Sequence, residues 1–198
     1  LRHNINRKQK NLKFFEFGRS YHLVEKQYTE KQYLSIFLSG KKSDENWRVE
    51  NSAIDFHDAS AIVYKILNKF RIKEIDSQPT KNPVFEYGLD LEDHGKKLVS
   101  LGLLKTSLLK KVEIDQPVFY IEFDWKKILQ YSDKKLTYQP VAKFPEVKRD
   151  LSLVIDKNIT FVEINKLAKQ ENRKLIKKIN VFSVYEGENI GEDKKSYA

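Results

Sequence analysis

Two stretches of the sequence hold residue types from which a functional site could be built. In the first, NVFSVYEG, strand alternation places Ser183 and Tyr185 on one face, opposite Phe182 and Val184. An exposed tyrosine at the end of a strand offers a flat ring on which an unpaired RNA base can stack. The same spacing fits a tyrosine at the rim of an ordinary sheet, and spacing alone does not choose between the two interpretations.

The second stretch, DFHD, brings Asp55, His57 and Asp58 close together in the sequence. These residue types could form an acid/base cluster. They stand, however, at the start of a predicted helix, where acidic side chains accept hydrogen bonds from free N–H groups and complement the helix dipole. We therefore favour a helix cap over a catalytic cluster.

Other kinds of active site lack their sequence patterns. The seven glycines form neither of the phosphate-binding patterns GxGxxG and GxxxxGK[ST]. The four histidines have no second ligand at metal-binding spacing, and no serine or threonine lies in a recognisable nucleophile turn. We therefore predict no catalytic, cofactor-binding or metal-binding residue in this chain.

The elements predicted for the first two thirds of the chain alternate irregularly, without the βα rhythm of a doubly wound sheet. FFEFGRSY and QYLSIFLSG predict a hairpin across a polar turn, and a short strand follows near Val84 to Leu89. KKLVSLGLL and PVFYIEFDW predict two more strands with little room between them, and WKKILQYS predicts a short helix. A longer helix is indicated by apolar residues at helical spacing: Ile62, Val63, Ile66, Leu67 and Phe70.

A polar connector with two prolines, DKKLTYQPVAKFPEVKRD, predicts a boundary between two domains, residues 1–136 and 137–198. Beyond it, LSLVID predicts a strand, and TFVEINKLAKQ predicts a helix with Thr160 and Glu163 in capping-box spacing. KLIKKINVFSVYEG predicts one long strand ending at Gly187, and SYA starts another. This order predicts a partial ferredoxin-like βαββ domain, which we expect to be truncated.

Composition favours a soluble, packed protein. Hydrophobic residues make up 40% of the chain, and no apolar run approaches the roughly 18 residues that span a bilayer. The absence of cysteine fits a reducing cytoplasm, and the net charge of +9 favours a polyanionic partner. The densest basic stretch is interpreted as a solvated helix or loop face in preference to a nucleic-acid patch, and it contains Arg2, Arg7, Lys8, Lys10 and Lys13.

Several motifs together resemble the C-terminal part of bacterial phenylalanyl-tRNA synthetase beta subunits, over nearly the whole chain. They are FFEFGRSY, IDFHDASAIVYKIL, PVFYIEFDWKKIL and, most specifically, KFPEVKRDL followed by FSVYEG and KKSYA. The last group is similar to the family's ferredoxin-fold anticodon-binding domain. The resemblance implies that residues 1–136 form an antiparallel sheet with flanking helices, a class II synthetase-like, catalytically inactive module. It also implies that Arg19 ends a structural strand or meets a partner instead of binding ATP.

The resemblance further implies a role and a set of site residues. The chain would be a non-catalytic part of the beta subunit, scaffolding the catalytic alpha subunit in an (αβ)2 assembly and contributing to binding of the anticodon region of tRNA. The whole phenylalanine-tRNA ligase would use ATP and Mg²⁺, with no cofactor in this chain. Tyr185 would stack on an anticodon base while Ser183 and Ser196 form hydrogen bonds. Phosphate contacts are expected, from charge, at Lys148, Arg149 and Lys195.

Two alternatives remain open. One is an RNA-binding or interaction module unrelated to synthetases, which would have no catalytic chain as its dominant partner. The other is a small free-standing enzyme, such as a phosphatase, on the ferredoxin-like half. That enzyme would require an arginine and an asparagine converging on a phosphate, and the sequence shows no such pairing.

Overall fold

The chain forms two compact units, Leu1–Thr137 and Tyr138–Ala198. The computed structural model describes residues 1–48, 51–73, 75–131, 145–172, 174–191 and 193–198. The predicted boundary at residue 136 lies outside these ranges. Within them, no helix is both long enough and apolar enough to cross a membrane.

The first unit is built on a six-stranded sheet in which every neighbouring pair is antiparallel. This confirms the predicted antiparallel sheet with flanking helices. The spatial order is β1-β2-β6-β5-β4-β3, so β1 and β3 form the edges. The strands are β1 (Leu12–Val24), β2 (Gln27–Ser39), β3 (Asp76–Pro79), β4 (Phe85–Asp93), β5 (Lys96–Leu104) and β6 (Val118–Asp124).

The described residues of this unit form four helices, and two of these helices cover one face of the sheet. The face carries Leu34 and Ile36 of β2 and Ile121 and Phe123 of β6, all buried in one cluster with Val63. Burial of apolar side chains on alternate strand positions supplies the main stabilisation here. We call this the helix-covered face and its opposite the open face. The helices are α1 (Arg2–Asn6), α2 (Phe56–Lys69), α3 (Thr106–Lys111) and α4 (Trp125–Leu129).

The predictions for this unit hold with two corrections. The buried face of α2 is confirmed, since Val63 and Leu67 have no exposed surface. The expectation of little room between the strands of KKLVSLGLL and PVFYIEFDW is wrong, because α3 lies between them and packs Leu109 with Ile114 and Val118. Strand β3 was also missed. Both elements are too short to show a hydrophobic period.

The N-terminus of α2 confirms the predicted cap. The Asp58 N–H donates to Asp55 Oδ1 at 3.0 Å, and the Asp55 N–H donates to Asp58 Oδ2 at 2.8 Å. The ammonium of Lys42 lies 3.2 Å from Asp55. The backbone hydrogen bond from Asp58, followed by the one from Lys42, lowers the pKa of Asp55 from 3.8 to about 2.

This cap predicts a pH-dependent contribution to stability. Because the folded-state pKa of Asp55 lies below its ordinary value, the contribution is present above pH ~4 and is lost as the pH falls toward ~2. We expect Asp55→Ala to lower the melting temperature at pH 7 and to weaken its decline across that acid range. Asp55→Asn keeps a capping oxygen without the titrating charge, so it should retain more of the neutral-pH stability. Thermal unfolding by circular dichroism at several pH values measures both effects, and an unchanged Asp55→Ala melting temperature at pH 7 would contradict them.

The second unit contains a three-stranded sheet in the order β7-β9-β8, with both outer strands antiparallel to β9. Strands β7 and β8 are therefore parallel and joined through a helix, as expected for a partial ferredoxin-like βαββ unit. The capping box is confirmed, because the Thr160 N–H donates to Glu163 Oε2 at 2.7 Å and lowers the pKa of Glu163. The elements are β7 (Leu153–Asp156), α5 (Phe161–Asn172), β8 (Val184–Tyr185), a 3-10 turn (Glu188–Ile190) and β9 (Lys194–Tyr197).

The long strand predicted for KLIKKINVFSVYEG is wrong. Only Val184–Tyr185 forms a strand, extended by hydrogen bonds from the Phe182 and Ser183 N–H groups to the Ala198 carbonyl. In the antiparallel register with β9, Val184 pairs with Tyr197 and Tyr185 pairs with Ser196. The alternating sequence indicated side-chain periodicity, but a strand also needs a paired neighbour.

Candidate nucleic-acid interface

One face of the three-stranded sheet gathers three of the residues predicted to contact RNA. The register pairs Val154 with Ser196 and Ser196 with Tyr185, so these three side chains form a row across β7, β9 and β8. Ser183 lies two residues before Tyr185 on the same face and exchanges backbone hydrogen bonds of 3.0 Å with Ala198. We call the surface formed by Val154, Ser183, Tyr185 and Ser196 the tyrosine face.

The Tyr185 ring is positioned by the glycine that follows it. A Cβ at Gly187 would lie 2.5 Å from the ring carbon Cζ of Tyr185, so a larger residue there would displace the end of the tyrosine side chain. The tyrosine remains 46% exposed. The ring is thus held by the backbone on one side while much of its surface is open to a ligand.

Serine hydroxyl groups lie on the same face of the sheet as this ring. Ser183 is exposed and Ser196 is half-buried, and the Ser152 hydroxyl lies 3.5 Å from that of Ser196. Each hydroxyl can donate one hydrogen bond and accept others. A flat ring with neighbouring hydroxyls can stack on an unpaired base and bond to its edge, which is how proteins read single-stranded RNA.

The predicted basic residues do not all lie on this face. Lys195 is buried on the opposite face, where its Nζ donates to the Lys157 carbonyl at 2.8 Å and lies 5.0 Å from the centre of the Tyr197 ring. Lys148 and Arg149 are exposed in the irregular segment before β7.

Sequence reasoning missed Val154 of the tyrosine face and Ser152 beside it. Both belong to the β7 side of the sheet, and they approach Ser196 because β7 pairs with β9 across about forty intervening residues. No local sequence pattern indicates which residues of β7 and β9 pair with each other. Alternation within β7 could have shown only that Ser152 and Val154 share a face.

Comparison with known families identifies both units. Residues 1–125 match the family described as "Phenylalanyl tRNA synthetase beta chain CLM domain", and residues 142–198 match "Ferredoxin-fold anticodon binding domain". The chain belongs to the phenylalanyl-tRNA synthetase beta chain family. The tyrosine face therefore lies in the segment that matches the anticodon-binding domain.

Relatives in this family align along the whole chain. The phenylalanine-tRNA ligase beta subunit of Bacteroides thetaiotaomicron is 36% identical over 100% of this chain, and that of Porphyromonas gingivalis is 32% identical over 100%. The chain spans only 26% of the length of each of these relatives. Among solved structures, pyrrolysyl-tRNA synthetase from Desulfitobacterium hafniense is similar at 18% identity, with a TM-score of 0.49, covering 69% of this chain and 50% of that one.

In this family member the hairpin of the first unit holds Arg19 in an ion pair. The Arg19 guanidinium lies 3.2 Å from a Glu30 carboxylate oxygen on the neighbouring strand. A hydrogen bond from Gln32, followed by the charge of Arg19, lowers the pKa of Glu30. Both side chains sit on the part of the hairpin that extends beyond β6, whose pairing with β2 stops at Tyr33. Arg19 therefore contributes to a projecting two-stranded ribbon.

The open face of the large sheet is covered at its centre by aromatic rings. Tyr120 lies between Phe37 and Phe85, with ring centres 4.8 and 6.1 Å away. Its hydroxyl lies 2.6 Å from Glu122 and 3.1 Å from Ser35, and burial raises its pKa. Among the described residues no group of three or more histidines, cysteines or acids could hold a metal ion. The rings of Phe37, Tyr120 and Phe85 therefore pack side by side on the open face.

Proposed function

We propose that this chain is a non-catalytic part of a phenylalanine-tRNA ligase beta subunit. It scaffolds the catalytic alpha subunit in an (αβ)2 assembly and contributes to binding of the tRNA anticodon region. ATP and Mg²⁺ serve the whole enzyme in the cytoplasm and bind outside this chain. The observation that carries the proposal is the tyrosine face, where Ser183, Tyr185 and Ser196 converge within the segment that matches an anticodon-binding domain.

The two roles divide between the two parts of the chain. We assign residues 1–136 to the scaffold and residues 137–198 to tRNA binding. We base this division on the different surfaces that the two units expose. The first unit exposes apolar rings along an edge strand, whereas the second presents a tyrosine among hydroxyl groups.

The scaffold role is supported by strand β1. It is an edge strand, so the backbone groups on its outer side are available to another chain. It exposes Phe15, Phe17 and Tyr21, which are 70, 56 and 67% accessible. A groove of about 790 Å³ beside it is lined by residues including Phe14 and Val112. Exposed apolar surface of this kind marks a protein contact, and the proposed occupant is the catalytic alpha subunit.

The tRNA-binding role is tested with Tyr185→Ala in the complete heteromeric enzyme. Base stacking on an aromatic side chain contributes about 1–3 kcal/mol, so the dissociation constant for cognate tRNA should rise about 5- to 150-fold. Tyr185→Phe keeps the ring and should bind nearly as well as the wild type. Binding is measured by fluorescence titration, alongside the rate of tRNA charging.

Phenylalanine-dependent exchange of pyrophosphate into ATP serves as the internal control. This reaction should be unchanged in Tyr185→Ala, because the variant removes no group that touches ATP or phenylalanine. Unchanged tRNA affinity and charging would refute the stacking role. If the complete beta subunit failed to co-purify with a catalytic chain, the alternative of an RNA-binding module unrelated to synthetases would be favoured.

A further inference from the structure

A basic surface lies in the first unit, at the end of the large sheet where β1 begins, β2 ends and β6 begins. The register there places Leu12 beside Ser39 and Ser39 beside Val118. Helices α1 and α3 pack at this end through the cluster around Leu109. We call this region the basic end, and its lysines are Lys8, Lys10, Lys13, Lys41 and Lys42.

Side-chain hydrogen bonds bring two distant stretches together here. The Lys41 N–H donates to Asn11 Oδ1 at 2.9 Å, and Lys13 Nζ donates to the Lys42 carbonyl at 2.8 Å. From the segment that precedes β6, Gln116 Nε2 donates to the Lys10 carbonyl at 2.8 Å. The sequence alone indicated that the basic stretch between Arg2 and Lys13 is a solvated face. In the folded unit this stretch lies beside the lysines that follow Gly40.

The two stretches enclose a groove whose lining is rich in hydrogen-bond donors. The groove has a volume of about 490 Å³, and its lining includes Asn4, Gln9, Lys13 and Lys41. Its acidic member, Asp44, accepts a hydrogen bond of 3.1 Å from Asn11. Ammonium and amide N–H groups in a concave surface are suited to phosphate oxygens.

The positive charge of the groove is only partly neutralised. Lys42 lies 3.2 Å from Asp55 and 3.1 Å from Asp58. By contrast, Lys8, Lys10 and Lys41 are exposed, and no carboxylate in the part of the chain that the structure describes lies within ion-pairing distance of them. An exposed cluster of unpaired lysines raises the local concentration of a polyanion.

We propose that the basic end binds the phosphate backbone of the tRNA at a site separate from the tyrosine face. The proposal rests on the tRNA-binding role proposed above and adds a second, sequence-independent contact from the scaffold unit. A protein partner fits this surface less well, because the centres of protein interfaces are depleted in lysine and enriched in apolar side chains. The lining of this groove is mostly lysine, asparagine and glutamine.

The test uses the complete heteromeric enzyme carrying Lys8→Gln, Lys10→Gln and Lys41→Gln together. Glutamine keeps most of the aliphatic stem and removes the charge. Each lost phosphate contact lowers the slope of log affinity against log salt by about 0.7–0.9, so the slope should fall by about 2. The dissociation constant for cognate tRNA should rise at least about tenfold at low salt.

A matched control removes the same charge elsewhere. Lys31, Lys69 and Lys96 are exposed at the opposite end of the sheet, near the hairpin, the C-terminus of α2 and the start of β5. Lys31→Gln, Lys69→Gln and Lys96→Gln together should leave both the affinity and the salt slope nearly unchanged. Equal effects of the two triple variants would overturn the proposal, because the attraction would then follow net charge alone.

Tyr185→Ala, measured in the same titration, separates the failure of this proposal from failure of the proposed function. If Tyr185→Ala weakens tRNA binding while the Lys8/Lys10/Lys41 variant does not, only the basic-end contact is overturned. If neither variant changes the affinity, the tRNA-binding role itself is overturned. If the lysine variant impairs co-purification of the catalytic subunit without changing tRNA affinity, the basic end is a protein contact and the proposal is wrong.

Discussion

Replacing Phe123 with alanine should lower the free energy of unfolding of the first unit by about 3–5 kcal/mol. Phe123 has no exposed surface and lies at the centre of the helix-covered face, between Leu34 and Val99 on the neighbouring strands. Removing its ring loses the burial of an aromatic side chain and leaves a cavity that the surrounding strands cannot fully close. The apolar surface proposed to contact the alpha subunit should be lost when this sheet unfolds.

Tryptophan fluorescence during urea unfolding measures this effect in the first unit alone. The chain has two tryptophans, both in that unit, and Trp47 is 95% exposed. Trp125 packs against Phe17 and Phe70 at ring-centre distances of 5.0 and 5.5 Å, so its emission reports loss of the core. Phe15→Ala is the matched control, because Phe15 is a largely exposed phenylalanine of the same sheet and should change stability by no more than about 0.5 kcal/mol. Equal losses of unfolding free energy in Phe123→Ala and Phe15→Ala would contradict the assignment of the core.

Gly102→Ala is expected to destabilise the same unit by about 3 kcal/mol. Gly102 pairs with Gly88 where β5 meets β4. A Cβ at Gly102 would overlap the Tyr87 carbonyl oxygen and would lie 2.8 Å from both the Gly88 Cα and Phe85 Cδ1. The backbone oxygen cannot move without breaking the ladder, so the strands must separate and Phe85 must leave its place beside Tyr120.

Gly18→Ala provides the control for this substitution. Gly18 is also a strand glycine, but no atom lies within 4 Å of the position that its Cβ would take. We expect Gly18→Ala to be neutral, or stabilising by up to about 1 kcal/mol through the smaller entropy of the unfolded chain. A Gly102→Ala protein as stable as Gly18→Ala would show that the approach of β4 and β5 is not a packing constraint.

The two halves of the chain suit their proposed roles for different physical reasons. The open face of the first unit is occupied by the stack of Phe37, Tyr120 and Phe85, while its edge strand exposes apolar rings. Exposed apolar rings of this kind are typical of a surface that contacts another macromolecule. The second unit holds its key ring, Tyr185, against a glycine backbone with hydroxyl groups nearby. This arrangement suits a planar, polar partner such as an unpaired base.

Local sequence patterns determined the main elements. The hairpin of β1 and β2, the strands β5 and β6, the buried stripe of α2 and the caps at Asp55 and Thr160 follow from alternation, helical spacing and capping chemistry. The same-face placement of Ser183 and Tyr185 also follows from alternation, because side-chain direction in a strand is set by the backbone of that strand alone.

Other features depended on tertiary structure. Pairing register, decided by contacts between distant segments, brought Val154 and Ser196 to Tyr185. Contacts between distant segments also bring the Lys8–Lys13 stretch next to Lys41. The sequence alone gives the charge of each segment, whereas the pairing of strands in the folded sheet determines which charged side chains lie close together.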